Sequence, residues 1–301
     1  MKKVLVIAGP TASGKSALGL KLAQAYQGEI ISGDSQQVYK ELNIGTAKVS
    51  AEEQALVPHH LLNLIGYECD FSVMDFQTQA RAAIDHISQK QHLPILVGGT
   101  GFYLKAVLYD YTFKQESEKL DTYDDWTNEA LYAQLQKIDP ESLEKIHLNN
   151  RKRLIRALQI AQGGQLKSEL EAQQNHEPIY DVLIWVLTYP KDVLDERIER
   201  RTLQMMEQGL KEEVLNYFSE PNQQRYQSFQ GIGYKEWLPY LKGESSEEAV
   251  QERITIATRQ FAKRQMTWFR HQFTPRFVDM SIEGELDRAI QALEIWLKEE
   301  K

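Results

Sequence analysis

The sequence predicts an α/β fold, a parallel sheet flanked by helices with a smaller, mostly helical insertion. Three observations lead to it. Over roughly the first hundred residues, short apolar runs alternate with amphipathic stretches, the pattern of β-α-β units. A glycine-rich segment, residues 9–16, joins the first apolar run to the first amphipathic stretch. Between about Tyr111 and Gln173 the chain turns polar and charged, with breaks at Asp139-Pro140 and Gly163-Gly164.

Taken in order, residues 4–8, 29–32 and 94–97 read as strands, and residues 14–26 and 72–90 as helices. The second helix places Val73, Phe76, Ala80, Ala83, Ile84 and Ile87 near helical spacing. Residues 182–187 form a later buried strand, 246–273 the longest amphipathic helix, 276–280 a last edge strand and 286–297 a closing helix. The core domain then covers residues 1–112 and 178–301, and the insertion covers residues 113–177.

With 301 residues the chain can bury a substantial core, and its single cysteine, Cys69, has no intrachain partner, as expected in a reducing compartment. No apolar run approaches the roughly 20 residues that span a bilayer, and the first residues lack the pattern of a signal peptide. We therefore expect a cytoplasmic protein with no membrane partner. His59-His60 invites a metal, but adjacent side chains in a strand point apart and no second Cys or His cluster has zinc spacing.

Gly9, Pro10, Thr11, Ala12, Ser13, Gly14, Lys15 and Ser16 satisfy G-x-x-x-x-G-K-[ST] between a strand and a helix, the setting this phosphate loop requires. The fold is therefore expected to be P-loop NTPase-like. Backbone N–H groups and the helix start face an anion, Lys15 adds a charge, and Ser16 can hold Mg²⁺. The loop alone does not say whether ATP, GTP or a pyrophosphate ester sits there.

Eight blocks narrow the choice: GPTASGKS at 9–16, DSQQVY at 34–39, GTAK at 45–48, VPHH at 57–60, FSVMDF at 71–76, GGTGFY at 98–103, GIGYKE at 231–236 and TRQFAKRQMTWFR at 258–270. In this order they resemble the tRNA dimethylallyltransferases from near the first residue to about residue 275. The chain departs from that pattern at Gln36, where methionine is frequent, at Asn63, where aspartate is, and around residues 147–149 and 156–159. The resemblance implies a donor, dimethylallyl pyrophosphate, with Mg²⁺. It also implies an acceptor, the exocyclic amine of the adenine just 3′ of the anticodon, flipped into a channel of the enzyme. The tRNA anticodon stem-loop would be the partner of a monomeric enzyme.

An adenine amine is a weak nucleophile, so its proton needs an acceptor as the new bond forms. Asp34 follows the second strand, at the sheet edge where α/β folds bind ligands, although an aspartate there also suits a helix cap. Thr100 ends another strand in a glycine turn, and the resemblance makes it a catalytic candidate beside Asp34. Arg197 and Arg201, at i and i+4, match the positions of pyrophosphate-directed arginines, or else form a solvated face with Glu196 and Glu199.

For RNA, the resemblance and the basic-aromatic pattern single out Asp34, Ser35, Gln36 and Gln37; Lys152, Arg153 and Arg156 in the insertion; Gly233, Tyr234 and Lys235; and Arg259 with Lys263. The formal net charge of −8 requires that any RNA site be a local basic face. A small-molecule kinase shares the loop but would lack the GGTG and GIGYKE blocks. An adenylate isopentenyltransferase shares the donor but has no use for the later basic helices, and a non-catalytic RNA-binding protein leaves Asp34 and Thr100 unexplained.

Overall fold

The computed structural model describes residues 1–113, 122–173 and 177–299. Parts of the insertion expected at residues 113–177 lie outside these residues. The chain forms two compact units, Met1–Tyr109 with Pro178–Lys301, and Asp110–Glu177.

The first unit begins β1 (Lys3–Ala8), α1 (Lys15–Ala25), β2 (Gly28–Ser32), α2 (Ala51–Leu56), β3 (His59–His60), α3 (Val73–Gln89), β4 (Leu93–Gly98) and α4 (Gly101–Leu108). The second unit holds α5 (Asn128–Ile138), α6 (Arg151–Gln162) and α7 (Lys167–Gln173). The chain then returns through β5 (Asp181–Thr188), α8 (Lys191–Glu207), α9 (Leu210–Phe218), α10 (Leu238–Leu241), α11 (Glu247–Gln272), β6 (Arg276–Asp279) and α12 (Glu285–Lys298).

All six strands join one parallel sheet in the order β3-β2-β4-β1-β5-β6. The five strands read from the sequence are present, each within one residue of the expected ends. Side chains of a strand alternate between faces, so a parallel sheet covered on both sides needs continuous apolar strands. β1 meets that need: Val4, Val6 and Ala8 enter one core cluster with α3 and α4, and Leu5 and Ile7 enter another with α1 and α12. In register, Ala8 lies beside Gly98 and Val186, and Ser32 beside Val97. The chain segments leaving β1, β2, β4 and β5 therefore emerge at one level from the same edge.

The second unit packs Leu131, Leu135, Leu154 and Leu158 into its own small core. Two polar residues hold its loops. Buried Asp139 accepts from Ser142 N and Oγ at 3.3 and 2.6 Å and from Ser168 N at 3.1 Å. Arg151 donates to Tyr123 O at 2.6 Å and Trp126 O at 2.5 Å.

His59 and His60 bond to different partners, His59 Nδ1 lying 2.9 Å from Val57 O. His60 Nε2 lies 2.7 Å from the buried carboxylate of Glu29, which also takes His92 Nδ1 at 2.8 Å and Lys90 Nζ at 3.1 Å. Burial pushes this carboxyl up, but the hydrogen bonds from His60, His92 and Lys90 outweigh it and bring the group down to about 2. A depressed carboxyl stabilises the fold above its unfolded pKa, and the contribution fades as pH falls from about 4.5 toward about 2. We expect Glu29→Gln to cost about 2–3 kcal/mol at pH 7, and less at pH 3, in urea unfolding at the two pH values.

Candidate active site

The phosphate loop starts at Gly9, whose φ of 147° and surroundings exclude a side chain, since a Cβ would stand 2.8 Å from Leu187 O. Ala12 and Gly14 are also left-handed, at φ 63° and 83°, and α1 begins without a side-chain cap. The first N–H groups of α1 thus remain available to an anion. Ser13 is fully buried and its hydroxyl has no hydrogen-bond partner among the described residues. Lys15 Nζ folds back to donate to Pro10 O at 2.6 Å, and Ser16 is exposed at the end of the loop.

Of the α8 arginines singled out from the sequence, Arg197 meets this loop directly. Arg197 Nε donates to Ala12 O at 2.8 Å, with its guanidinium 4.7 Å from the Tyr189 ring centre. Its neighbour one turn on, Arg201, acts through charge. Burial and the positive charge of Arg201 bring Lys15 down to about 7, against the opposing pull of Asp34. Burial likewise lowers Arg201, and Asp34 again opposes. Lys15, Arg201 and Asp34 therefore share one electrostatic environment, with two cations to one carboxylate. That imbalance favours an anionic ligand.

Asp34 leaves β2 by a tight turn in which Gly33 N donates to Val97 O at 2.7 Å. Its Oδ1 accepts Gln36 N at 2.9 Å, an Asx turn that fixes the carboxylate. Thr100 starts α4 without capping it, and its Oγ1 accepts a long 3.4 Å bond from Ser35 N. The fold thus links the Asp34 turn directly to Thr100.

The remaining residues singled out from the sequence divide into exposed and internal ones. Gln37 is spent within the fold, accepting Ser32 Oγ at 3.1 Å and donating to Thr46 O at 3.3 Å. Gln36 lies against Gly231. Tyr234 is fully buried, with its hydroxyl 2.9 Å from Glu213, a carboxylate that also accepts Asn43, Ile44 and Gly45 N at 2.8, 2.8 and 3.0 Å. Gly233, at φ 100°, is buried beside it and donates to Glu236 at 2.9 Å, while Lys235 is exposed. Arg259 is paired with Glu199 at 3.0 Å, whereas Lys263 is exposed; in the second unit Lys152, Arg153 and Arg156 are exposed on α6.

Sequence reasoning passed over Gln265, a buried polar residue of α11 whose carboxamide binds both Thr11 N and Gly99 O. Its only signal was a polar residue on the inner face of an amphipathic helix.

A family model described as IPP transferase matches residues 37–272, and one described as Isopentenyl transferase matches residues 2–63. The chain belongs to the IPP transferase family. Among its relatives is a tRNA dimethylallyltransferase of Exiguobacterium sp., 44% identical over 291 residues, covering 93% of this chain and 92% of the relative. A tRNA dimethylallyltransferase of Bacillus cytotoxicus is 42% identical, covering 94% and 92%. Among solved structures, the tRNA isopentenylpyrophosphate transferase of Staphylococcus epidermidis superposes with a TM-score of 0.73 at 35% identity, covering 98% of this chain and 99% of that one. A eukaryotic dimethylallyltransferase acting on tRNA reaches a TM-score of 0.85 at 31% identity, covering 97% of this chain and 78% of that one.

An amine depressed to about 7 is only half protonated at neutral pH, and an anion bound beside it restores the proton. We expect diphosphate binding to take up about half a proton at the Lys15 site at pH 7 and more at pH 8, with affinity falling as pH rises. Calorimetry in buffers of different ionisation enthalpy measures this. Lys15→Arg should abolish that part of the uptake, because an arginine stays charged throughout.

Proposed function

We propose that the chain transfers a dimethylallyl group from dimethylallyl diphosphate to the exocyclic amine of the adenine 3′ of the anticodon in tRNA. The observation that carries this reading is that Asp34, fixed by its bond to Gln36 N at the edge where the phosphate loop emerges, acts electrostatically on both Lys15 of that loop and Arg201 of α8. A proton acceptor and an anion cradle at one sheet edge suit a reaction that deprotonates an amine while an anion departs.

The amine nitrogen bonds to the allylic carbon as the C–O bond of the donor breaks. The electron pair of that bond leaves on a diphosphate oxygen, and the proton of the amine passes to the Asp34 carboxylate. Negative charge grows on the leaving group, so Lys15, Arg197, Arg201 and the loop N–H groups bind the transition state more tightly than the ground state. Thr100 orients the amine through its hydroxyl. Magnesium, when bound, supplies further neutralisation of the diphosphate. Among the described residues no group of three or more His, Cys, Asp or Glu side chains is arranged for a metal. Ser16, exposed at the end of the loop, would be the protein ligand of an ion carried by the donor phosphates.

RNA would be held by exposed cations, Lys152, Arg153 and Arg156 on α6 and Lys263 and Arg264 on α11, with Lys235 beside the buried Gly233 and Tyr234. In this reading the buried pair shapes the loop and Lys235 makes the contact. No described helix is long and apolar enough to cross a membrane.

A transfer assay with labelled donor, comparing tRNA, AMP and no acceptor, tests the function: incorporation into AMP in place of tRNA would overturn it. Asp34→Ala should lose about 10²-fold or more in kcat while retaining tRNA binding by filter assay. In a salt titration of tRNA binding, neutralising Lys263 or Arg264 should flatten the log–log slope by about 0.7–0.9 each. Neutralising Arg259, already paired with Glu199, should change it little.

A further inference from the structure

We propose that Gln265 is a positioning residue that sets the gap between the phosphate loop and the turn carrying Thr100. Gln265 projects from α11 and is only 6% exposed. Burying a carboxamide is costly unless both of its ends are bonded. Here Oε1 accepts Thr11 N at 3.1 Å and Nε2 donates to Gly99 O at 2.9 Å. A backbone N–H on one side and a carbonyl on the other leave a single consistent orientation of the amide.

The identity of the partners makes this more than a satisfied core amide. Thr11 belongs to the loop after β1, and Gly99 to the turn after β4 that leads into Thr100. One turn along the same helix, Trp268 packs on Gly101 so closely that a Cβ there would meet the indole at 2.2 Å. Gln265 and Trp268 thus grip the residues on either side of Thr100, and Gln265 also fastens the phosphate loop. Group transfer needs donor and acceptor atoms about 3–3.5 Å apart, and a shift of roughly 1 Å in such a frame costs about 10²-fold in rate. A single planar amide with a donor and an acceptor can fix that spacing. A carboxylate of the same length keeps the Thr11 bond but faces Gly99 O with a negative oxygen, and methionine fills the space with neither bond.

This inference rests on reading the two loops as donor and acceptor sites. Its test uses full-length Gln265→Glu and Gln265→Met, with kcat, the KM of each substrate, equilibrium binding of dimethylallyl diphosphate and of tRNA, and the melting temperature. Gln265→Met should lose about 10²-fold in kcat, with both KM values within about threefold of the parent and tRNA binding unchanged. Gln265→Glu should lose kcat at least as much and, by placing a carboxylate against the phosphate loop, also weaken donor binding.

A kcat within about threefold of the parent in both variants would overturn the proposal. So would a rate loss accounted for by the unfolded fraction, or failure of both variants to fold, since each assigns Gln265 to the core alone. Unchanged donor affinity in Lys15→Ala would instead remove the underlying reading of the phosphate loop, whatever Gln265 does.

Discussion

Two cations held against one carboxylate at the carboxyl edge of the sheet are the constraint around which the first unit is organised. Lys15 and Arg201 are both disfavoured as charges by burial, and Lys15 is lowered further by Arg201. Left to relax, such a pair would separate into water. The fold prevents this by anchoring the loop at both ends: β1 is bonded on both sides within the sheet, and Arg197 from α8 fastens Ala12 O. On the proposed reading, a bound diphosphate would offset this like-charge repulsion, so the arrangement would favour an anion.

The same rigidity holds Asp34 near those cations without locking it to them. Its Oδ1 is committed to Gln36 N, and the turn that carries it is tied through Gly33 to the end of β4. The carboxylate is held by main chain and not by a direct ion pair with Lys15, whose ammonium donates to Pro10 O. In the proposed reaction this leaves a carboxylate oxygen free of a direct ion pair to meet the amine proton.

Features that are local in sequence were legible from it. The phosphate loop is a contiguous motif, and the strands show as unbroken apolar runs because both sheet faces are buried. Helix α4 was not legible, because six of its eight residues are buried and no 3.6-residue contrast survives. The charge pattern of α8 allowed either a solvated face or a ligand site, and the fold divides it: Arg197 turns to the loop, and Glu199 pairs with Arg259 of α11. The Gly233-Tyr234 segment reads as an RNA-contacting loop through its family resemblance, and in the fold the tyrosine hydroxyl is used by Glu213, which lies 21 residues away in sequence. Gln265 was beyond reach for the same reason: its meaning lies in partners 254 and 166 residues distant.

Helix α11 also resolves the conflict between an acidic chain and an RNA partner. At physiological ionic strength charges are screened beyond about 8 Å, so acidic residues far from a cationic face subtract little from it, and a total of −8 says little about any one surface. Counting basic residues along the sequence misleads in the opposite direction. Arg259 is paired with Glu199 and lies near Asp195, while Lys263 and Arg264 are exposed, so neighbouring cations of one helix contribute unequally to attraction. A helix with exposed cations outside and Gln265 and Trp268 pressed onto the loops inside can hold polyanion and reaction frame at once. On the proposed reading, its outer positions would accept exchange among cations, while Gln265 on its inner face would not accept the loss of either hydrogen-bonding atom.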